Sequence, residues 1–173
     1  DITSSKKHTI YGGAGDDEIN SNSTKALLID AGADEDTITL TGIASGSTVH
    51  SVDGGAGKDV LTGTTGSEII DGGTEDSGAD TIDSAGGDDT IYGRAGSDLI
   101  KLGSQGNTLV HAGADNDVVE VTLANLTHNT TIKGEAGNDT IAVIGTAATF
   151  NMWEPNTFAE KAFDSISSIE TLA

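Results

Sequence analysis

The chain has no cysteine, one proline, one methionine and six aromatic residues among its 173 residues. Disulfides therefore cannot stabilise the fold. Lysine and arginine number eight against 28 aspartates and glutamates, and the formal net charge of −20 makes nucleic acid and anionic lipid poor partners. No apolar run approaches the roughly eighteen residues of a membrane-spanning helix, so membrane insertion is not expected.

Large apolar side chains are scarce until the end of the chain. Four of the six aromatic residues lie beyond residue 149, at Phe150, Trp153, Phe158 and Phe163. The preceding part must build its core from isoleucine, valine, leucine and alanine while carrying most of the negative charge. Such a composition does not offset conformational entropy by apolar burial alone, so we expect an additional stabilising partner.

One pattern repeats along the chain. An aspartate recurs at intervals of 19, 23, 21, 18, 19 and 22 residues, and these motif aspartates are Asp17, Asp36, Asp59, Asp80, Asp98, Asp117 and Asp139. Six of them end a six-residue turn motif, GGAGDD in its clearest form, which begins at Gly12, Ala31, Gly54, Gly93, Ala112 and Gly134. The seventh motif, from Gly72, contains a three-residue insertion. A period near twenty residues indicates a solenoid of stacked units.

Two aliphatic columns accompany the turn motif. One lies two residues after each motif aspartate, at Ile19, Ile38, Leu61, Ile82, Ile100, Val119 and Ile141. The other lies two residues before each motif, at Ile10, Ile29, Val52, Ile70, Ile91, Val110 and Ile132. Each aliphatic sits in a run of three or four strand-forming residues. The sequence therefore predicts an all-β fold of about seven coils, in which two parallel sheets stack with about 4.8 Å per coil.

The turn motif favours calcium as the stabilising partner. Glycine at places one, two and four allows positive φ, so that several carbonyl oxygens can point into one turn, and the aspartate adds a charged oxygen. Six to eight oxygen ligands suit Ca²⁺, whereas Mg²⁺ requires a tight octahedron. Stacked aspartates would repel one another without a cation between them. Seven stacked loops leave gaps for about six calcium ions or more.

The motif resembles the G-G-x-G-x-D-x-U-x nonapeptide of the RTX, or hemolysin-type calcium-binding, family, and the resemblance covers roughly residues 8–144. It implies a parallel β-roll, an RTX-type β-solenoid, with a C-terminal cap. The motif aspartates would bind calcium through their side chains. Further ligation is implied for the first place (Ala31, Gly54, Gly72, Gly93, Ala112, Gly134), the second (Gly13, Gly32, Gly55, Gly113), the third (Ala33, Ala56, Ala95, Ala114, Ala136) and the fourth (Gly15, Asp34, Gly57, Gly78, Gly96, Asp115).

The other side of the roll departs from this pattern. Only the half-repeats from Ser84, which ends in Asp89, and from Gly63, which ends in Glu68, look able to bind calcium there. The half-repeat from Gly103 ends in Thr108. We therefore expect one continuous row of ions and an opposite edge with one or two ions near Asp89. Four residues of the motifs replace glycine, namely Ala31, Asp34, Ala112 and Asp115, and the two aspartates either add ligands or face solvent.

Other polar residues receive simpler interpretations. The four histidines are far apart and lack zinc-binding spacing, so they are expected to be exposed: His8, His50, His111 and His128. Arg94, the only arginine, is expected to be solvated at the second place of its motif. Glu160 and Asp164 are expected on a solvated face.

The sequence divides into a repeat body, residues 1–144, and a capping segment, residues 145–173, within what reads as a piece of a longer protein. We expect the four late aromatic residues to plug the open end of the solenoid. Phe158 to Ile166 could form a short helix and Ser168 to Leu172 a closing strand. Alternatively, Trp153 offers a carbohydrate platform.

These observations favour a structural calcium-binding module of a secreted bacterial surface protein, exported by type I secretion and folding outside the cell. Its partners would be calcium and other copies or neighbouring domains in an S-layer lattice or adhesin. A polysaccharide-binding module of an extracellular enzyme is the alternative. No enzyme is predicted, because the H-E-x-x-H and G-x-S-x-G motifs are missing from the sequence.

Overall fold

The protein folds into two parallel β-sheets that face each other. The structure is a computed structural model that describes residues 8–43, 49–73, 78–103, 106–122 and 130–144 and two short strands near the C-terminal end. Each sheet contains eight strands, and successive strands of the chain alternate between the sheets. None of the described residues belongs to a helix long and apolar enough to cross a membrane.

The first sheet contains the odd-numbered strands in chain order. Its strands are β1 (His8–Ala14), β3 (Leu27–Ala33), β5 (His50–Ala56), β7 (Glu68–Asp71), β9 (Thr90–Ala95), β11 (Leu109–Ala114), β13 (Thr131–Ala136) and β15 (Ile166–Ser167). The second sheet contains the even-numbered strands, which are β2 (Glu18–Ser21), β4 (Thr37–Leu40), β6 (Val60–Thr62), β8 (Thr81–Asp83), β10 (Leu99–Lys101), β12 (Val118–Thr122), β14 (Thr140–Ile144) and β16 (Thr171–Leu172).

A coil consists of one strand of each sheet with its loops, so coil 1 contains β1 and β2 and coil 7 contains β13 and β14. The strand pairing aligns the predicted aliphatic columns residue by residue, as in Ile10 with Ile29 and Ile19 with Ile38. Most of these side chains are completely buried between the sheets. The prediction of an all-β parallel roll is confirmed.

Strands of the first sheet are longer than the sequence pattern predicted. Six of them contain six or seven residues, because the ladder continues into the turn motif. Gly13 pairs with Gly32, and Ala14 pairs with Ala33. Small residues at these places allow neighbouring backbones to approach closely, so part of each motif is strand and only its end is loop.

The coils have two edges. On the first edge the chain passes from the first sheet to the second through the turn motif, and on the second edge it returns. At the C-terminal end, β15 pairs with β13 and β16 pairs with β14. Ile166 thus lies in a strand, not in the predicted helix. Residues 150, 153, 158 and 163, the acids at 160 and 164, His128, and residues 74–77, which contain the three-residue insertion, lie outside the described residues.

Candidate metal centre

The motif aspartates form a column along the first edge, each directly before a strand of the second sheet. Six of them are at most 5% exposed: Asp36, Asp59, Asp80, Asp98, Asp117 and Asp139. The parallel register brings them into line because each coil places its aspartate one residue before a paired strand residue. The fold therefore removes a row of carboxylates from water, which is costly unless each charge has partners.

In six of these carboxylates, from Asp36 to Asp139, one oxygen has a partner in the preceding coil. The backbone N–H of Asp17 donates to Oδ1 of Asp36 at 2.7 Å, and that of Asp36 donates to Oδ1 of Asp59 at 2.8 Å. Four further steps repeat the bond at 2.8 to 3.0 Å, ending at Asp139. This ladder fixes each carboxylate in a single orientation.

In several of these aspartates, the second carboxylate oxygen is buried and has no hydrogen-bond donor. Oδ2 is buried and accepts no hydrogen bond in Asp17, Asp36, Asp98 and Asp117. An ionised carboxylate only accepts hydrogen bonds, so this oxygen requires either a proton of its own or a cation. Rigidly held, donor-free oxygens of this kind are what a hard divalent cation requires.

Burial also raises the pKa values of several motif aspartates. Burial raises the pKa of Asp98 to about 8, although the N–H of Asp80 opposes the shift, and the charges of Asp80 and Asp117 raise it further. Burial likewise raises the pKa of Asp117 to about 7 and raises that of Asp36. Without a metal, these carboxyl groups therefore bind protons more readily than exposed aspartates do, and calcium would supply the positive charge in their place.

Positive φ angles recur at alternate residues of the motif. In the six motifs without an insertion, every residue at the second and fourth places has a positive φ, whether or not it is glycine. The second place includes Arg94 (φ 83°) and Glu135 (φ 74°), and the fourth includes Asp34 (φ 83°) and Asp115 (φ 79°). This left-handed conformation is unfavourable for side chains other than glycine. Its retention shows that the loop conformation is imposed by stacking.

The first place of the motif faces the aspartate. A methyl group added at Gly12 would collide with the carbonyl oxygen of Ala31 and lie 2.5 Å from Oδ2 of Asp17. The same two kinds of oxygen, a carboxylate Oδ2 and a carbonyl of the next coil, surround Gly54, Gly72 and Gly93. Oxygens of both types thus converge beside the first place, which fits a calcium site. Ala31 and Ala112 are buried and carry a methyl group at this position.

In coil 2, Asp34 replaces glycine at the fourth place of the motif. Oδ2 of Asp34 accepts a hydrogen bond from the N–H of Gly15 at 2.9 Å. This side chain is therefore used to link coils 1 and 2. Asp115, at the same place in coil 6, is exposed and raises the pKa of both Asp98 and Asp117 through its charge.

Within the described ranges, no three histidine, aspartate or glutamate side chains surround one point. Any ion there must combine a carboxylate with backbone carbonyls, as the motif predicted. The predicted ligand set remains a prediction.

Sequence comparison assigns the repeats. A family model described as the RTX calcium-binding nonapeptide repeat matches the chain in four copies, at residues 9–23, 51–76, 74–109 and 127–142, which together cover more than half of it. The chain belongs to the RTX calcium-binding repeat family. No curated protein matches it in sequence. RTX repeats bind Ca²⁺ and are typical of secreted or extracellular proteins, so the chain is a calcium-binding β-roll module.

The matched ranges leave out two RTX motifs of this roll, those beginning at Ala31 and Ala112. These are the two with alanine at the first place and aspartate at the fourth. Their backbones nevertheless keep the same positive φ values, and their aspartates keep the Oδ1 ladder. The stacking of the RTX roll therefore extends through both degenerate coils.

The second edge of the RTX roll is also lined by buried polar groups. Asp89 is 2% exposed, its Oδ1 accepts the N–H of Glu68 at 3.0 Å, and its Oδ2 is buried without a donor. Glu68 differs because its carboxylate accepts bonds from the N–H and the hydroxyl of Thr64, at 3.1 and 2.5 Å. Asp89 thus reproduces the motif aspartates, with an added side-chain hydrogen bond from Ser84 to its carboxylate, whereas both carboxylate oxygens of Glu68 already have protein donors.

The expectation that all histidines are exposed was wrong for His50, which is fully buried. Its Nδ1 accepts the N–H of Leu27 at 3.3 Å, and its Nε2 lies 2.9 Å from the carbonyl oxygen of Gly42. The sequence did contain a signal for this. His50 precedes Val52 by two residues, as Glu68 precedes Ile70 and as Asp89 precedes Ile91.

The expectation that Arg94 is solvated holds only in part, because its side chain is 38% exposed but is paired with Asp71. Its guanidinium donates two bonds to Asp71, one of them from Nε at 2.7 Å, and lies 4.5 Å from the ring centroid of Tyr92. Tyr92 stacks on His111 with centroids 5.2 Å apart, and His111 contacts Glu135 at 2.5 Å. These five side chains form a continuous row on the outer face of the first sheet, here called the outer row, across coils 4 to 7.

Proposed function

We propose that this RTX roll is a calcium-folded structural module of a secreted bacterial surface protein that supports S-layer assembly or adhesion. The observation that carries the proposal is the aspartate column of the first edge, in which Asp17, Asp36, Asp98 and Asp117 have a buried oxygen without a donor. A fold built around such oxygens is incomplete without a cation. This makes calcium a structural component of the module.

Folding and calcium binding would be one process. In the cytoplasm, where calcium is scarce, the acidic chain stays unfolded and fit for type I secretion. Outside the cell, calcium at about 10⁻⁴ to 10⁻³ M, the range for extracellular modules, fills the loops. Because the ions bind the folded state and not the unfolded one, their binding free energy adds to stability. The result is a rigid spacer that forms only where it is used.

Far-ultraviolet circular dichroism of the calcium-stripped chain tests this proposal. We expect a spectrum with little β structure that changes to a β spectrum on addition of about 1 mM CaCl₂ and reverts with excess chelator. MgCl₂ at equal concentration is the control and should leave the unfolded spectrum unchanged. A β spectrum that is the same with and without calcium would contradict calcium-coupled folding.

Surface assembly needs a separate measurement. Negative-stain electron microscopy and sedimentation of the folded chain in calcium distinguish the two surface roles. Ordered two-dimensional arrays support S-layer assembly through contacts between copies. Dispersed rods support the role of a spacer in an adhesin.

The outer row gives little support to the polysaccharide-binding alternative. Its tyrosine is Tyr92, and the other tyrosine of the described first sheet, Tyr11, is exposed on β1 outside this row. The ring of Tyr92 contacts the guanidinium of Arg94 and the ring of His111. A sugar normally stacks on a free aromatic face, and this ring is already packed on its neighbours. Arg94, which could bind an acidic sugar, is paired with Asp71.

A further inference from the structure

The second edge carries its own column of buried side chains, here called the second-edge column: His50, Glu68, Asp89, Thr108 and Thr130. His50 pairs directly with Glu68, and the others stand one residue before the paired residues Thr90, Leu109 and Thr131. They therefore occupy the position that the motif aspartates occupy on the first edge. These side chains differ chemically from coil to coil. We therefore expect only some of them to need a cation.

His50 reproduces both contacts of a motif aspartate without a metal. Its Nδ1 accepts the N–H of Leu27 in the preceding coil, as Oδ1 of each motif aspartate accepts an N–H. Its Nε2 faces the carbonyl oxygen of Gly42 at 2.9 Å, so the ring hydrogen lies on Nε2 and is donated to that carbonyl. The Nε2–H group of His50 thus occupies the place where an aspartate would have an oxygen. That oxygen would need a cation, and the N–H group does not.

The two threonines use a hydroxyl, and each bonds a loop carbonyl of the preceding coil, whereas His50 bonds Gly42 in the loop that leads into its own strand. Oγ1 of Thr108 donates to the carbonyl oxygen of Gly87 at 3.3 Å, and Oγ1 of Thr130 donates to that of Gly106 at 3.4 Å. Both bonds are long, yet they join equivalent atoms, because each hydroxyl meets the loop carbonyl of the preceding coil. A carboxylate at this position would bring two acceptors together and would need a cation between them.

Asp89 is the residue of the second-edge column whose carboxylate would meet a loop carbonyl in this way. Its Oδ1 takes the N–H of Glu68, and its buried Oδ2 has no donor. In register with Thr108 and Thr130, it faces the loop of the coil before it, where Gly66 has the place that Gly87 has one coil later. Glu68 does not share this need, because Thr64 donates to both of its oxygens.

We infer that the described second edge binds a single calcium ion, at Asp89, and that side-chain N–H and O–H groups at His50, Thr108 and Thr130 replace the cation at their steps. This inference rests on the proposed calcium-dependent function and adds to it. The two edges then differ in kind. The first edge is closed by metal in coil after coil, and the second is closed mostly by hydrogen bonds of the protein.

Calcium stoichiometry of the full chain, measured by equilibrium dialysis with radioactive calcium at saturation, tests the assignment. Asp89→Asn should bind one ion fewer than the wild type, because the amide keeps the acceptor for Glu68 and presents a donor in place of Oδ2. Thr108→Asp should bind one ion more, because it restores a carboxylate opposite the loop carbonyl. Matched controls on outward strand faces, Asp30→Asn and Thr81→Asp, should leave the number unchanged.

The outcomes separate this inference from the proposed function. If the wild type binds no calcium, the proposed function fails and this inference fails with it. If the wild type binds several ions and Asp89→Asn binds the same number, only the inference is overturned. Equal stoichiometry of Thr108→Asp and the wild type, in a variant whose β spectrum is intact, would overturn the replacement at Thr108.

A second measurement does not depend on any variant. Long-range ¹⁵N correlation spectra of the calcium-loaded chain report which imidazole nitrogen of His50 carries hydrogen. A neutral ring protonated on Nε2 is expected, since Nδ1 faces a donor. A ring protonated on Nδ1 would overturn the replacement at His50.

Discussion

The two oxygens of a motif aspartate have different tasks. Oδ1 accepts a backbone N–H from the coil before it and therefore fixes the distance and register between coils. Oδ2, buried without a donor in Asp98 and its neighbour Asp117, is the atom that calcium would complete. The amide of asparagine separates these tasks, since it keeps an acceptor and replaces the second oxygen with a donor.

Asp98→Asn should therefore lose an ion without losing its coil. The change replaces the charged oxygen that would face calcium with an N–H donor, which removes one ligand and one negative charge from the site. We expect one ion fewer per chain by calorimetric titration and an unchanged β spectrum in saturating calcium. Glu120→Gln, an equal change of charge on the outward face of β12, is the control and should bind calcium like the wild type. Full occupancy in Asp98→Asn would show that this carboxylate is not a ligand.

At the scale of the elements, neighbouring coils are also joined by contacts that need no metal. The outer row connects coil 4 to coil 7 through the ion pair of Asp71 and Arg94, two stacked rings and the contact of His111 with Glu135. Arg94 and Glu135 occupy the second place of their motifs at positive φ. Their side-chain contacts therefore offset a strained backbone.

Two substitutions of Arg94 distinguish the stability that its side-chain contacts contribute from the cost of its positive φ. Arg94→Ala removes the half-exposed ion pair and the contact with Tyr92, worth about 1 kcal/mol in total, and keeps the unfavourable φ. Arg94→Gly removes the same contacts but relieves about 1 to 2 kcal/mol of left-handed strain. In saturating calcium, Arg94→Gly should melt at a higher temperature than Arg94→Ala. The reverse order would show that the left-handed conformation is abandoned in the variants.

The coils, their parallel sheets and their aliphatic columns could be predicted because each depends on a local pattern repeated in register. Ile10 and Ile29 align as expected, and so do the motif aspartates. The longer strands of the first sheet could not be predicted, since glycine and alanine read as turn residues. They extend the ladder because the neighbouring backbone provides the partner.

Contacts between coils were predicted less well, because loops of different length separate the repeats. Arg94 meets Asp71 across 23 residues, and no local pattern marks that pair. His50 could have been recognised from its distance to Val52, which matches the spacing of Asp89 to Ile91. Its burial follows from the register of the second-edge column and not from its neighbours in sequence.

At the scale of the whole molecule, stacking collects negative charge. The chain has a formal charge of −20, and six of the seven coils add a buried carboxylate to the first edge. About six calcium ions would offset about twelve of these charges, and protons bound by the carboxyls with raised pKa values would offset some of the same charge. Acid should therefore substitute in part for calcium.

The metal-free chain should gain β structure as the pH falls, and the sign follows from the raised pKa values. A carboxyl group has a pKa of 3.8 when unperturbed, but burial raises that of Asp98 to about 8 and that of Asp117 to about 7 in the folded state. Between these limits the folded state binds more protons than the unfolded one, so its stability is greatest at low pH and is lost as the pH rises toward 8. Circular dichroism of calcium-stripped protein between pH 4 and 8 measures this, with sedimentation to exclude aggregation near the isoelectric point of about 4.1. The double variant Asp98→Asn, Asp117→Asn carries no charge at these positions and should show a weaker dependence. Metal-free β structure that increases with rising pH would contradict the assignment of these buried carboxylates as the groups that calcium neutralises.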